Sequence, residues 1–100
     1  METPRFRGDG VTRVLTRLAE LDCADIVARA SRAHALPAEV IFSASRERHV
    51  ADARARVVYE VAERLGPSDA ALGRLFGVDR STAVGAVRRW ARICGEAWAR

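Results

Sequence analysis

Three polar side chains stand next to one another in the stretch FGVDRSTAVGAVRR, residues 76–89, and their types suit recognition of a polyanion. Arg80 offers a guanidinium fork for two acceptors on one guanine edge, while Ser81 and Thr82 offer hydroxyls for base edges or phosphates. Asp79, just before them, is a good N-cap for a helix that begins here. The alternative is a plain helical hairpin in which Asp79 caps the helix and the other polar residues are only solvated.

The elements around this cluster have the spacing of a helix-turn-helix, which we place at Ser68–Arg89. Ser68 is a good N-cap for a short helix over Asp69–Phe76, and Gly77 ends that helix. Gly73 lies four residues before the turn glycine, where a small residue lets the two helices cross closely. In this architecture the first residues of the second helix enter the major groove of DNA. The polar cluster is therefore predicted to be the end of the helix that contacts DNA bases.

The remaining chain also predicts helices, so the expected fold class is all-α, a small helical bundle. Apolar residues recur at three- and four-residue spacing in three longer segments, Val11–Leu21, Cys23–His34 and Val50–Leu65. We expect Asp22 to cap the second segment, and we expect the third to be the long scaffold helix. Pro37 opens a short turn of helix, and no segment alternates with the period of two that a strand requires.

The composition supports one small domain with a charged surface. Hydrophobic residues make up 49% of the 100 residues, and we expect a flexible N-terminus at residues 1–10 and a single helical domain at 11–100. All 17 basic residues are arginine, and the formal net charge is +4. Residues 1–45 hold 6 Arg and 6 acidic residues, whereas residues 46–100 hold 11 Arg and 7 acidic residues. A basic half-domain favours a polyanionic partner, with a merely solvated surface as the alternative.

A polar segment without an apolar period, Ser43–His49, precedes the long helix and is predicted to be a loop or arm. Arg46 and Arg48 give this segment its positive charge. An arm in this place can lay an arginine into the minor groove of DNA, and a solvated loop is the alternative.

Other kinds of site have little support in the sequence. Cys23 and Cys94 lie far apart and His34 and His49 add no zinc spacing, so we expect free thiols and no metal. No nucleophile is patterned with a base and an orienting group, so we expect no enzyme activity, no cofactor and no small-molecule substrate. No apolar run reaches the length of a membrane span, and the N-terminus lacks a signal-peptide core. We therefore expect a cytoplasmic protein with no membrane partner.

Two stretches in this order, SRERHVADARARVVY (45–59) and SDAALGRLFGVDRSTAV (68–84), resemble the C-terminal DNA-binding domain of the bacterial replication initiator DnaA. The resemblance spans about Ala24 to Arg89. That family combines an arginine-rich loop, a long helix, a short helix and a signature of the type Asp-His-Thr-Thr-Val. It implies sequence-specific binding of double-stranded DNA, with a recognition helix in the major groove and a basic loop in the minor groove. The process it implies is replication initiation or its regulation.

The resemblance also implies a role for each matching residue. Base reading falls to five residues, Asp79, Arg80, Ser81, Thr82 and, in the minor groove, Arg46. Contact with the DNA backbone falls to Arg48 and Arg54. Beyond the resemblance we also assign Ser68 and Arg88 to the DNA backbone, and for Arg88 a merely solvating role is the alternative. Arg80 replaces the family histidine and Ser81 a threonine, so we expect a different preferred sequence. Because the chain has no lysine, it has no GxxxxGK[ST] phosphate loop, and the resemblance excludes the ATPase domain of the initiator.

Two alternatives to this function remain open at this point. One is a helical protein–protein adaptor, and the other is a DNA-targeting module that works with a separate replication or transposition partner. The last helix carries an apolar stripe, Val84, Val87, Ala91, Cys94 and Trp98. We expect a monomer in which the helix Val11–Leu21 covers Cys94 and Trp98, and a dimer through the C-terminal helix is the alternative.

Overall fold

The structure of this chain, a computed structural model, describes residues 10–98, and it describes side chains as far as Gly95. Six helices follow one another in that range: α1 Val11–Glu20, α2 Ala24–His34, α3 Ala38–Ile41, α4 Arg48–Leu65, α5 Asp69–Phe76 and α6 Arg80–Trp98. No strand is present among residues 10–98, so the predicted all-α fold is confirmed. The expected flexible segment 1–10, apart from Gly10, lies outside the described residues, as does the side chain of Trp98.

Helix α4 is the long scaffold helix, and it contacts α2, α3, α5 and α6. It begins at Arg48, two residues before the predicted Val50, and ends as predicted at Leu65. Its inner face is lined by valines that are fully buried, Val50, Val57, Val58 and Val61. Burial of each such side chain contributes roughly 1.5–3 kcal/mol, which makes α4 the centre of the core.

Aromatic stacking joins the residue after α3 to the end of α5. Phe42, just after α3, stacks on Phe76 at the end of α5, with 6.1 Å between ring centroids. Both side chains are almost fully buried, and Leu72 and Ile26 belong to the same cluster. The segment that follows Phe42 therefore starts from a fixed point in the core.

Asp22 does not cap α2, and that prediction is wrong. Asp22 has a φ of +63°, and its amide and that of Cys23 donate to the last carbonyls of α1, at 3.1 and 2.7 Å. These two bonds form a Schellman motif, so Asp22 closes α1. Helix α2 starts at Ala24 with Cys23 as its N-cap residue and without a side-chain cap.

The end of α4 is hydrogen-bonded to this same connection between α1 and α2. Arg64 bonds both carboxylate oxygens of Asp25, at 2.6 and 2.9 Å, and the carbonyl of Asp22 at 2.9 Å. The hydrogen bond from Arg64 holds the pKa of Asp25 well below its usual range. Bidentate pairing of this kind fixes direction as well as distance, so it sets how α2 lies on α4.

Helix α1 packs mainly on α5 and α2. The guanidinium of Arg17 donates at 3.1 Å to the carbonyls of Arg74 and Leu75 in the last turn of α5. The prediction that α1 covers Cys94 is therefore wrong. Cys94 is half-buried, and Ile93 beside it is 42% exposed.

The crossing of α5 and α6 depends on Gly73. A Cβ atom at this position would lie 2.8 Å from the carbonyl oxygen of Val78 and 3.2 Å from the amide nitrogen of Arg80. The turn is closed by another Schellman motif, in which the amides of Val78 and Gly77 donate to α5 carbonyls at 2.9 and 3.2 Å. Gly77 has a φ of +71°, which glycine adopts without strain. The predicted close crossing at Gly73 is confirmed.

An aromatic cluster joins α2 to α6 through His34. Its ring lies edge-on to Trp90 with 5.9 Å between centroids, and the guanidinium of Arg56 lies 5.7 Å from the Trp90 ring. Nε2 of His34 is buried and has no hydrogen-bond partner among the described residues. Burial, and then the charge of Arg56, lower the pKa of His34.

Acidification should destabilise the protein through His34. Because its pKa is lowered on folding, the folded state binds this proton less well than the unfolded state, so stability falls as pH drops through about 6.5, the ordinary value for histidine. Urea unfolding between about pH 7.5 and 5.5, around that value, measures the loss. His34→Phe should remove most of the pH dependence and His49→Gln should keep it. Equal pH dependence in wild type and His34→Phe would contradict the assignment.

Gly73→Ala should lower the free energy of unfolding by about 1–3 kcal/mol, because its Cβ meets backbone atoms that cannot move independently. Gly85→Ala is the matched control. Gly85 also lies inside a helix, but a Cβ there meets nothing within 4 Å. This control should be stabilised by about 0.5–1 kcal/mol through helix propensity. Thermal unfolding of the two variants checks the prediction, and a shift of the same sign in both would refute it.

Candidate nucleic-acid interface

Asp79 fixes the start of α6. Its Oδ1 accepts a hydrogen bond from the amide of Thr82 at 2.9 Å, and the hydroxyl of Ser81 lies 3.4 Å from Oδ2. The side chain of Thr82, and then its amide, lower the pKa of Asp79. The predicted N-cap is confirmed. The carboxylate is directed at its own helix, so its contribution to the site is to position the three residues that follow.

Arg80 and Ser81 are exposed at this capped end, and Thr82 is half-buried. The guanidinium of Arg80 forms no hydrogen bond or ion pair within the described part of the chain. Ala83, the next residue, is fully buried and anchors the helix from behind. The first turn of α6 therefore presents a guanidinium and a hydroxyl to solvent from a backbone that is fixed on its inner side.

The segment between α3 and α4, which we call the arm, comprises residues 43–47. It is held by Arg54 on α4, whose Nε donates to the carbonyl of Ile41 at 2.8 Å. Nη2 of the same side chain donates to the carbonyls of Ser43 and Ser45, both at 2.9 Å. Burial, and then the charge of Arg89, lower the pKa of Arg54. A half-buried guanidinium thus sets the path of the arm backbone.

Arg54 was predicted to contact the DNA backbone, and its surroundings give it another task. Three of its hydrogen bonds go to carbonyls of its own chain, so we assign it to positioning the arm. Backbone carbonyls carry no residue-type signature, and the sequence offered no signal for this role. The arm also bonds within itself, from the amides of Ser45 and Glu47 to serine hydroxyls, at 3.3 and 3.2 Å.

The other predicted contacts lie on the surface. Arg46 in the arm, Arg48 at the start of α4 and Arg88 on α6 are all exposed. Within residues 10–98 none of the three has an ion-pair or hydrogen-bond partner. Ser68 is exposed and caps α5, because its Oγ accepts from the amide of Ala71 at 3.1 Å. That cap occupies an acceptor site of the hydroxyl and leaves its proton for a phosphate oxygen.

A groove between α4 and α6 brings several of these elements together. Its volume is about 340 Å³, and it is lined by Ala51, Arg54, Ala55, Thr82, Gly85, Ala86, Arg89 and Arg92. Arg89 pairs with Asp52 on α4 at 2.7 Å. The sequence-based site omitted Arg89 and Arg92, because helical spacing alone does not show which arginines of α6 turn towards α4.

Comparison of the chain with protein-family models, with curated proteins and with solved structures found no match. Among the described residues, no three His, Cys, Asp or Glu side chains are grouped closely enough to bind a metal ion. None of the described helices combines the length and the apolar character needed to cross a membrane.

Arg54→Ala should lower the free energy of unfolding by about 1.5–3 kcal/mol, since it removes a charged donor from three carbonyls. It should also speed amide hydrogen exchange in the arm. Arg48→Ala is the control: Arg48 is exposed without a partner in the described residues, and its loss should change stability by no more than about 0.5 kcal/mol. Exchange rates in the arm that are the same in wild type and Arg54→Ala would show that Arg54 does not hold it.

Proposed function

We propose that this protein binds double-stranded DNA sequence-specifically through the helix-turn-helix of α5 and α6. The observation that carries the proposal is the exposed guanidinium of Arg80 at the capped start of α6. In this proposal the first turn of α6 enters the major groove, where Arg80 bonds the O6 and N7 atoms of a guanine. Ser81 and Thr82 bond base edges or phosphates beside it. The amides at the start of α6 add a favourable site for a phosphate.

The arm supports the same proposal, because Arg54, which holds it, also lines the groove at the start of α6. Arg54 bonds the arm on one side and lines the groove beside Thr82 on the other. The arm and the first turn of α6 therefore belong to one region of the surface. We assign Arg46 to the adjacent minor groove, where inserted arginines are attracted by the negative potential. Arg48, Ser68 and Arg88 are assigned to phosphates, which fix the register without reading sequence.

The resemblance to the DNA-binding domain of DnaA suggests the process and the stoichiometry. It favours replication initiation or its regulation in the cytoplasm, by a monomer on an asymmetric site. A module that works with a separate replication or transposition partner is the alternative within the same chemistry.

A helical adaptor for another protein is the second candidate function. It is favoured by Ile93, which is 42% exposed on α6 next to the half-buried Cys94. An adaptor that uses this face should bind duplex DNA weakly and with little dependence on salt, so the measurements below separate the two functions.

Arg80→Ala should weaken binding to the preferred duplex by about 1–3 kcal/mol and relax discrimination at one base pair. Arg88→Ala should weaken binding to all duplexes alike, because a phosphate contact carries no sequence information. Selection of duplexes from a random pool gives the preferred site, and fluorescence anisotropy on that site and its single-base variants gives the affinities. Arg13→Ala, on the exposed face of α1, is the neutral control. If Arg80→Ala loses the same free energy on every duplex, Arg80 is not a base-reading residue.

Binding should also weaken with salt. Two arginines assigned to phosphates, Arg48 and Arg88, predict a slope of log K against log salt of about −1.8. Arg48→Ala should reduce the magnitude of that slope by about 1. Arg54→Ala should leave it nearly unchanged, because that side chain is engaged by the arm. A slope near zero for the wild type would contradict the DNA-binding proposal.

A further inference from the structure

The groove between α4 and α6 carries positive charge in addition to that of the base-reading residues. Three of its lining residues, Arg54, Arg89 and Arg92, carry guanidinium groups. Asp52 offsets one of these charges through its contact with Arg89 at 2.7 Å. Three hydrogen bonds of Arg54 end on the carbonyls of Ile41, Ser43 and Ser45. The pKa of Arg54 is lowered first by burial and then by the positive charge of Arg89.

Like charges that line one groove repel each other, and an anion placed between them would relieve that repulsion. Arg92 is exposed and has no ion-pair or hydrogen-bond partner in residues 10–98, so its donors are available. Arg89 is 40% exposed and uses its Nε for Asp52, which leaves the two terminal nitrogens of its fork. Fork-shaped donors of this kind match the oxygens of a phosphate group better than a single point charge does.

The shape of the groove fits the same ligand. Its volume of about 340 Å³ lies at the lower end of the range for small-molecule sites, about 300–1,000 Å³. The remaining lining consists of Ala51, Ala55, Gly85, Ala86 and Thr82. Small side chains leave the space open, and the hydroxyl of Thr82 is a further polar group at the wall. A Cβ at Gly85 would meet nothing within 4 Å, which shows how open this wall is.

We propose that the α4–α6 groove is a binding site for one phosphate group, held by the guanidinium groups of Arg89 and Arg92 in the field of Arg54. The phosphate is either a diester of the DNA backbone or the phosphate of a small molecule. The site does not depend on the proposed function, because Arg89 and Arg92, which would hold the phosphate, are not among the residues assigned to DNA. A phosphate bound in this groove would lie directly beside Thr82, in the first turn of α6.

Titration of inorganic phosphate into the intact chain tests the site, with chloride used to keep ionic strength constant. NMR should show saturable shifts at the Nε–H signals of Arg89 and Arg92 and at the amide of Gly85. Arg92→Ala should weaken phosphate binding about tenfold or more, the value of one charged hydrogen bond. Arg13 is another exposed arginine and lies on α1, so Arg13→Ala should bind phosphate as the wild type does.

Asp52→Asn provides a test in the opposite direction. It removes the carboxylate that competes for Arg89, so phosphate should bind several-fold more tightly, which a merely destabilised variant would not show. Unchanged phosphate affinity in both Arg92→Ala and Asp52→Asn would overturn the proposal. So would shifts that do not saturate and are as large at Arg13 as at Arg92.

Addition of an unlabelled duplex then separates the two sources of phosphate. A DNA phosphate that fills the groove should displace free phosphate and reproduce its shifts at Gly85, whereas a small-molecule site should keep its phosphate in the presence of duplex. A chain that binds phosphate in this groove but binds no duplex would support the site while contradicting the proposed function.

Discussion

The contact between Gly73 and the turn is the constraint on which the recognition surface depends. Because a hydrogen at Gly73 is all that separates α5 from the carbonyl of Val78, the two helices meet backbone to backbone. The amide nitrogen of Arg80 lies in the same contact, so the first residue of α6 is placed by main-chain atoms rather than by flexible side chains. Asp79 caps α6 from outside and Ala83 anchors it from inside. Arg80 therefore leaves a rigid base, which lowers the entropy lost when it binds.

A second constraint acts through Arg54. Partial burial of a guanidinium costs free energy, and the lowered pKa of Arg54 records that cost. Three carbonyls around the arm offset it, and in return they fix the arm to the helix that carries the groove. The backbone of the arm is thus fixed to the helical scaffold, although the side chain of Arg46 within it stays exposed. The interface proposed for DNA combines the arm with the first turn of α6. Arg54 holds the arm and Asp79 caps α6, and neither of these contacts is assigned to DNA.

Local patterns were predictable from the sequence, and partners between distant segments were not. The bounds of α5 and the caps at Ser68 and Asp79 depend on residues within three positions of one another, and they were predicted correctly. The stripe of α1 predicted one buried face, but periodicity does not name the helix against which that face packs. Asp22 closes α1 because of amide bonds to carbonyls, and Arg54 bonds carbonyls as well. Every residue has a main-chain carbonyl, so the residue types do not show which carbonyls will accept these hydrogen bonds.

Substitution of single atoms in the DNA tests the central claim most directly. Replacing a guanine of the selected site by 7-deazaguanine removes the N7 acceptor and leaves base pairing intact. The account predicts one guanine at which this change weakens binding by the wild type and has little further effect on Arg80→Ala, since both changes remove the same contact. Equal losses in wild type and Arg80→Ala at every guanine, or no loss at any guanine, would contradict the placement of α6 in the major groove.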